Sequence, residues 1–254
     1  MAMKNHQTVE GRESKVESRL DGVHFFHPWP STFDSRQAFT LIELLVVIAV
    51  IGVLAAMLMP LGASVKRTAY INKTRAEMSQ LETAIDSYKA AYGFYPPDNP
   101  NGVLTNQLFY ELVGTTNNGV NFVTLDGSAQ ISFNPVNSVK IAFGRDGFVN
   151  CNSTNKSAED SQMAKDFLSN LKPQQVVAYT NAGVGMTLLS ASVGGPDSGY
   201  MPLGVQNLNP WRYNSSNPTN NPGAYDLYVQ LVIGGKTNLI CNWSKQVQIN
   251  SPLP

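Results

Sequence analysis

From residue 41 to residue 63 the chain is apolar almost without interruption, and 44–59 carries no polar side chain. The run reaches roughly the 20 residues that a helix needs to cross a bilayer. One acid, Glu43, stands near its start. Beyond the run the pattern changes to a stripe: Met78, Leu81, Ile85, Tyr88 and Tyr92 recur at spacings of 3, 4, 3 and 4, one face of a helix. Lys73 and Glu77 form an i,i+4 pair off that stripe. Gly93 suits the position just past a helix end, and Pro96-Pro97 forbids continuation. These signals predict one helix from about residue 39 to 92, bent or loosened near Pro60 and Gly62. Near the other end, Tyr225, Leu227, Val229, Leu231 and Ile233 alternate as on one face of a strand. Gly234-Gly235 permits a tight turn, and 237–243 reads as the returning strand. Between these ends "TNQLFYELVG" reads as a short helix. "SAEDSQMAKDFLSNLKP" reads as another, with Ser157 as cap, Asp160 three residues on and Pro173 beyond. Residues 120–125 and 175–179 read as weak strands. The expected class is α+β, with a long N-terminal helix packed on a small antiparallel sheet.

Three readings fit the apolar run: a buried core helix, a cleavable signal with Val53-Leu54-Ala55 as its small-residue site, and a membrane span. Soluble cores seldom need so long an all-round apolar surface, which favours the span. A carboxylate in lipid costs a few kcal/mol unless it is paired or neutralised, so Glu43 needs a partner. A cut between Ala38 and Phe39 supplies one. It frees an α-amine four residues before Glu43, within reach along the same helix or from a neighbouring chain. An ion pair in lipid is held more firmly than one in water, so the acid becomes a register device for assembly.

Composition narrows the chemistry. Of 254 residues, 14% are charged, and 18 Lys+Arg balance 18 Asp+Glu. No basic footprint for nucleic acid is present. The three histidines, His6, His24 and His27, all precede the apolar run, so Ser-His-Asp catalysis and most zinc sites are excluded downstream. The two cysteines, Cys151 and Cys241, lack CxxC spacing. "GRDG" at 144–147 and "GGPDSG" at 194–199 match no phosphate-loop spacing and read as turns.

"AFTLIELLVVIAVIGVLAAMLMP" resembles the class III signal of type IV pilins and type II secretion pseudopilins. The resemblance implies that a prepilin peptidase cuts between Ala38 and Phe39 and methylates the new amine, and that Glu43 guides assembly. Ala38 stands where the family strongly prefers Gly. "YKAAYGFYPPDNPNG" and the C-terminal "NPWRYNSSNPTNNPGAYDLYVQLVIGGKTNLICNW" resemble the major, G-type pseudopilin. Its pattern is matched at Pro210, Trp211, Pro222, Gly223, Tyr225, Asp226, Leu227, Tyr228, Ile240, Asn242 and Trp243. Asn209 replaces an Asp and Arg212 a Gly. The resemblance covers about 36–102 and 209–243.

The resemblance implies a leader over 1–38, a transmembrane and assembly helix over 39–63, and a soluble pilin-like domain over 64–254. Residues 103–208 form a family-atypical insert. The expected protein is a structural subunit without enzymatic activity or cofactor, anchored once in the bacterial inner membrane with its domain in the periplasm. The implied partners are the prepilin peptidase, its own copies and other pseudopilins, the inner-membrane assembly platform and the membrane, with no nucleic acid. A surface adhesin or DNA-uptake pilin, with the insert as binding face, is the alternative. A secreted hydrolase is disfavoured by the missing histidines. The positive-inside rule points the other way, because Lys66, Arg67, Lys73 and Arg75 follow the run and only Arg36 closely precedes it; the leader motif, the more specific signal, sets the orientation. In the periplasm Cys151 and Cys241 have only each other to pair with, and two buried thiols are the alternative. The major pseudopilins hold calcium with carboxylates near the C-terminal hairpin. Here "VQLVIGGKTNLICNW" contains no acid, so the hairpin is expected to stand without the ion.

Overall fold

The computed structural model describes residues 39–134, 136–153 and 163–254; the side chains of 58–63 lie outside that description. Residues 1–38, the expected leader with Ala38 at its end, lie outside it as well. Two compact units divide the chain at Gly52–Val53.

Helix α1 spans Leu41–Tyr92, as the apolar run and the stripe together predict. It ends where Gly93, at φ +85°, returns its N–H to the Lys89 carbonyl at 2.7 Å, a left-handed exit that glycine makes without steric cost. Every large apolar side chain of its first part is exposed, from Leu41 to Met57. Among the described residues no helix is long and apolar enough to cross a membrane.

The second part of α1 buries its stripe. Leu81, Ile85 and Tyr88 are fully enclosed, and Met78 and Tyr92 pack beside them. Glu77 departs from expectation: it does not face outward toward Lys73. It is buried, and its carboxylate accepts from the backbone N–H of Ser192 at 3.0 Å and from the Ser192 hydroxyl. The 192 loop covers that side of the helix, so a position that looks exposed by periodicity becomes an interior one.

The expected C-terminal hairpin forms. Strand β8 (Asp226–Ile233) and β9 (Lys236–Cys241) pair antiparallel around Gly234-Gly235. Both glycines have positive φ, 60° and 71°, as a two-residue hairpin turn requires. With β7 (Arg212–Asn214) and β10 (Ser244–Ile249) they make a four-stranded antiparallel sheet, in the order β10-β9-β8-β7. The alternation predicted for β8 places Leu227, Val229 and Leu231 in the main core. Its other face is covered too, with Tyr228, Leu239, Cys241 and Trp243 forming a satellite cluster.

The middle segment is part of the same core, not an appendage. It contributes helix α2 (Leu108–Val113), wholly buried, and α3 (Ser138–Phe143). It also contributes a second four-stranded sheet of β1 (Thr115–Asn117), β2 (Asn121–Thr124), β3 (Gln130–Ser132) and β4 (Cys151–Ser153), in the order β3-β2-β1-β4. Hairpin β5–β6 (Val176–Asn181, Val184–Leu189) follows. The short helix at "TNQLFYELVG" and both weak strands are therefore found. The helix expected over 157–172 is not seen in its described part. Ser157 and Asp160 lie outside the described residues, and 163–172 is irregular. Its backbone is bound from outside: Ala164 N–H to Asn152 Oδ1 at 2.6 Å, Lys165 N–H to Asn150 Oδ1 at 2.8 Å and Phe167 N–H to the Leu112 carbonyl at 2.8 Å. Phe167 packs against Tyr88 and Tyr92, which a continuing helix would not reward.

Candidate functional site

The first site is the start of α1. Thr40 and Glu43 close a reciprocal cap. Glu43 Oε2 accepts from the Thr40 backbone N–H at 2.9 Å and from its hydroxyl at 2.8 Å, and the Glu43 N–H donates back to Thr40 Oγ1 at 3.3 Å. The Thr40 carbonyl accepts the first helical bond, from Leu44 N–H at 3.3 Å. This is the capping-box arrangement, Thr-x-x-Glu, in which two otherwise unpartnered donors are satisfied at a helix start. The signal stands in the sequence as Thr40-Leu41-Ile42-Glu43, and a reading centred on the acid alone passes over Thr40. Phe39 is 78% exposed just outside the cap. The arrangement holds the acid at the first turn, next to the position a new N-terminus at Phe39 would occupy.

The second site is the buried carboxylate of Glu111 on α2. Its oxygens accept from Val149 N–H and Asn150 N–H, both at 3.0 Å, from Tyr88 Oη at 3.0 Å and from Gln107 Nε2 at 3.4 Å. Asn150 returns its amide to the Glu111 carbonyl at 2.7 Å. Burial raises the Glu111 pKa, and the bonds from Asn150, Val149 and Tyr88 oppose the rise only in part. The group ties α1 to the middle segment. Its oxygens are taken up by these bonds, and it reads as architecture.

Two further acids hold the loop 214–226. Asp98 accepts from Ser215 N–H at 3.1 Å, Ser216 N–H at 2.9 Å, the Ser216 hydroxyl and Arg145 Nη2 at 3.3 Å. Burial pushes its pKa up, but the Ser216, Ser215 and Arg145 contacts outweigh it and hold the group below the usual range. Asp226 accepts from Thr219 and Asn220 N–H at Oδ2 and from Asn221 N–H at Oδ1, each at 2.9 Å. At the hairpin turn Asp197 accepts from Gly234 N–H at 3.2 Å and Gly235 N–H at 2.8 Å. A calcium ion needs six to eight oxygens, and an oxygen already facing N–H groups is turned from that task. Among the described residues no three His, Cys, Asp or Glu side chains group as a metal site.

The two family departures are accommodated locally. Asn209 donates to the carbonyls of Gly194 at 3.1 Å and Gln230 at 2.8 Å. Arg212 is buried, donates to Tyr200 Oη at 3.0 Å, and lies over the Tyr228 ring. The expected pairing of Cys151 with Cys241 is not seen, and no disulfide joins the two. Cys151 is on β4 of one sheet, where its Sγ donates to the Asn152 carbonyl at 3.4 Å, and Cys241 is on β9 of the other, in the satellite cluster. Being the two cysteines of a chain does not bring them to one sheet.

Comparisons with known proteins agree with the first site. Residues 34–59 match the prokaryotic N-terminal methylation motif. The chain is 35% identical over 112 residues to the fimbrial protein EcpB of Eikenella corrodens, covering 43% of this chain and 70% of the relative. It is 39% identical over 66 residues to the type II secretion system core protein G of Escherichia coli, covering 26% of this chain and 46% of that one. It is 34% identical over 68 residues to the type IV major pilin protein PilE1 of Neisseria gonorrhoeae, covering 27% and 32%. No solved structure matches. With the methylation motif lying over Phe39 and Glu43 and a fimbrial relative covered over most of its length, the chain belongs to the type IV pilin and pseudopilin family.

Proposed function

We propose that the chain is a structural subunit of a type II secretion pseudopilus or a related type IV pilus-like filament. A prepilin peptidase cuts between Ala38 and Phe39 and methylates the new amine. The helix over 39–63 holds the protein in the inner membrane, with the domain over 64–254 in the periplasm, until the assembly platform adds it to the filament. Subunits then pack through their N-terminal helices, and the charged Phe39 amine meets Glu43 of the same or a neighbouring chain. The observation that carries this reading is the Thr40–Glu43 cap at the head of an apolar helix surface with no cover of its own. A continuous apolar surface of this kind calls for lipid or a partner. The C-terminal pattern around Trp211 and Tyr225 to Trp243 favours the secretion pseudopilus over a surface pilus. The absence of histidine beyond residue 27 favours a structural role over an enzymatic one.

N-terminal sequencing and mass analysis of the membrane-extracted protein test the proposal. A methylated Phe39 is the expected result. A mature start near Ala56, or an intact 1–38 segment in the assembled protein, overturns it.

A further inference from the structure

Four basic residues follow the apolar run within a short span, Lys66, Arg67, Lys73 and Arg75. Two are fastened to the C-terminal sheet. Arg67 donates to Asn238 Oδ1 from Nε at 3.0 Å and from Nη2 at 2.6 Å, and Arg75 Nη2 donates to the Lys245 carbonyl at 2.5 Å. These bonds set the level of the sheet along α1. Strand β9 passes Arg67 at Asn238 and reaches Met78 and Ser79 at Cys241 and Asn242, which line one groove with them. It therefore climbs away from the apolar run. Lys236, two residues before Asn238, sits about 7 Å back toward that run. At 1.5 Å per helical residue this is roughly the level where the apolar run ends. Ile249 pairs opposite Asn238, and Asn250 Oδ1 accepts from Thr237 N–H at 3.2 Å, so the C-terminal strand ends at the same level.

That end of the domain carries exposed Lys66 and Lys236 together with exposed Val65, Ile249 and Leu253. Its nearby acids are engaged within the chain. Asp197 takes the N–H groups of Gly234 and Gly235 at the exposed turn, so its charge is shared with the backbone there, and the buried Glu77 takes Ser192. The ion pairs among the described residues are Lys140–Asp146 and Arg145–Asp98, neither of them here. Basic heads mixed with apolar side chains, at the level where a spanning segment ends, are the make-up of a surface that lies in a lipid interface.

We propose that this end of the domain is a lipid-headgroup contact. Lys66 and Lys236 bind the phosphates of anionic lipid, and Val65 and Ile249 enter the interfacial layer. The contact seats the head on the membrane before the subunit joins a filament. The inference rests on the membrane-anchored reading above. It gives the basic residues beyond the span a partner on their own side, where a charge count alone sets them against the orientation.

The test uses the processed full chain in phosphatidylcholine vesicles, with and without one third phosphatidylglycerol, read by amide hydrogen exchange. With phosphatidylglycerol, exchange at Gly234, Gly235 and the β10 end should slow roughly five-fold or more, the effect of one or more surface cations near anionic lipid. High salt should remove the slowing. The double variant Lys66→Glu, Lys236→Glu should lose it while keeping its thermal midpoint, since both lysines are exposed. Equal exchange in the two lipids overturns the proposal. So does equal slowing by inorganic phosphate added to phosphatidylcholine vesicles, which marks a free-phosphate site. Slowing that follows protein density in phosphatidylcholine alone marks a neighbouring subunit and also overturns it. Carbonate extraction separates the two readings. A protein that resists extraction yet shows no phosphatidylglycerol effect refutes the headgroup contact alone, whereas a protein washed off the vesicles refutes the anchored reading beneath it.

Discussion

Glu43 and Thr40 are bound to each other three times over, through the carboxylate, the hydroxyl and both backbone N–H groups. The acid therefore has a local task, starting the helix, besides the assembly task proposed for its charge. The two can be separated. Glu43→Gln keeps a capping box, because Gln serves at that position as Glu does, but removes the charge. Glu43→Leu removes both. If the charge pairs with the Phe39 amine, both variants should insert in the membrane and both should fail to give crosslinked oligomers. Wild-type oligomers from Glu43→Gln would assign the residue to capping alone.

Processing should depend on the small residue before Phe39. Ala38→Leu places a branched side chain where the peptidase takes Gly or Ala, and the precursor should accumulate. Intact mass reads this directly. Normal maturation of Ala38→Leu would place the cut elsewhere.

The cysteines should behave as two thiols. Unfolded, unreduced protein should take up two equivalents of a maleimide. In the folded protein Cys241 should react slowly, because it is buried and burial pushes its thiol pKa up, lowering the thiolate fraction that reacts. Full protection from the label in unfolded protein would show a bond that the structure does not contain.

The parts of the fold legible in the sequence were those fixed by local periodicity. The stripe from Met78 to Tyr92, the exit at Gly93 and the hairpin at Gly234-Gly235 each depend on neighbours within a few residues. The misreadings share a different cause. Glu77 looks like half of a surface pair until Ser192, more than a hundred positions away, covers it. The 163–172 segment follows a cap signal at Ser157 and has apolar spacing suited to a helix, but Asn150 and Leu112 claim its backbone. Glu111 reads as an ordinary acid of a short helix, and only the fold brings Val149, Asn150 and Tyr88 onto its oxygens. At the candidate site, Phe39 and Glu43 were visible from their motif, whereas Thr40 was overlooked although its signal is just as local.

Glu111 gives a prediction about pH. Its folded-state pKa is raised by burial, so the stability it contributes is fully present below the unfolded carboxylate range and is lost as pH rises through the folded value. Glu111→Leu should remove this dependence. It also takes the acceptor from the Val149 and Asn150 N–H groups, at about 1–3 kcal/mol for the buried Asn150. Urea unfolding of wild type and variant from pH 4 to 8 should show a large loss for the variant that narrows as pH rises. A variant as stable as wild type throughout would show that the carboxylate does not organise the middle segment.

The loop between β7 and β8 should hold without calcium. In a calcium site, carboxylate and carbonyl oxygens converge on one point, and backbone N–H groups point away from it. Here the reverse holds. Asp226 turns its oxygens onto the N–H groups of Thr219, Asn220 and Asn221, while Asp98 takes Ser215 and Ser216. The N–H groups do the work of the cation by presenting positive charge to each carboxylate. Chelator should leave the thermal midpoint unchanged, and added calcium should not raise it. Asp226→Ala should lower it by several degrees, because three N–H groups lose an acceptor worth about 1 kcal/mol each. Acid should act as that variant does at Asp98, whose depressed pKa makes its contribution present above the unfolded carboxylate range and lost as pH falls through the folded value. A midpoint that drops on chelation and returns with calcium would mean that these carboxylates let go of the loop to bind the ion, and the internal bonding of the loop would then be the apo arrangement only.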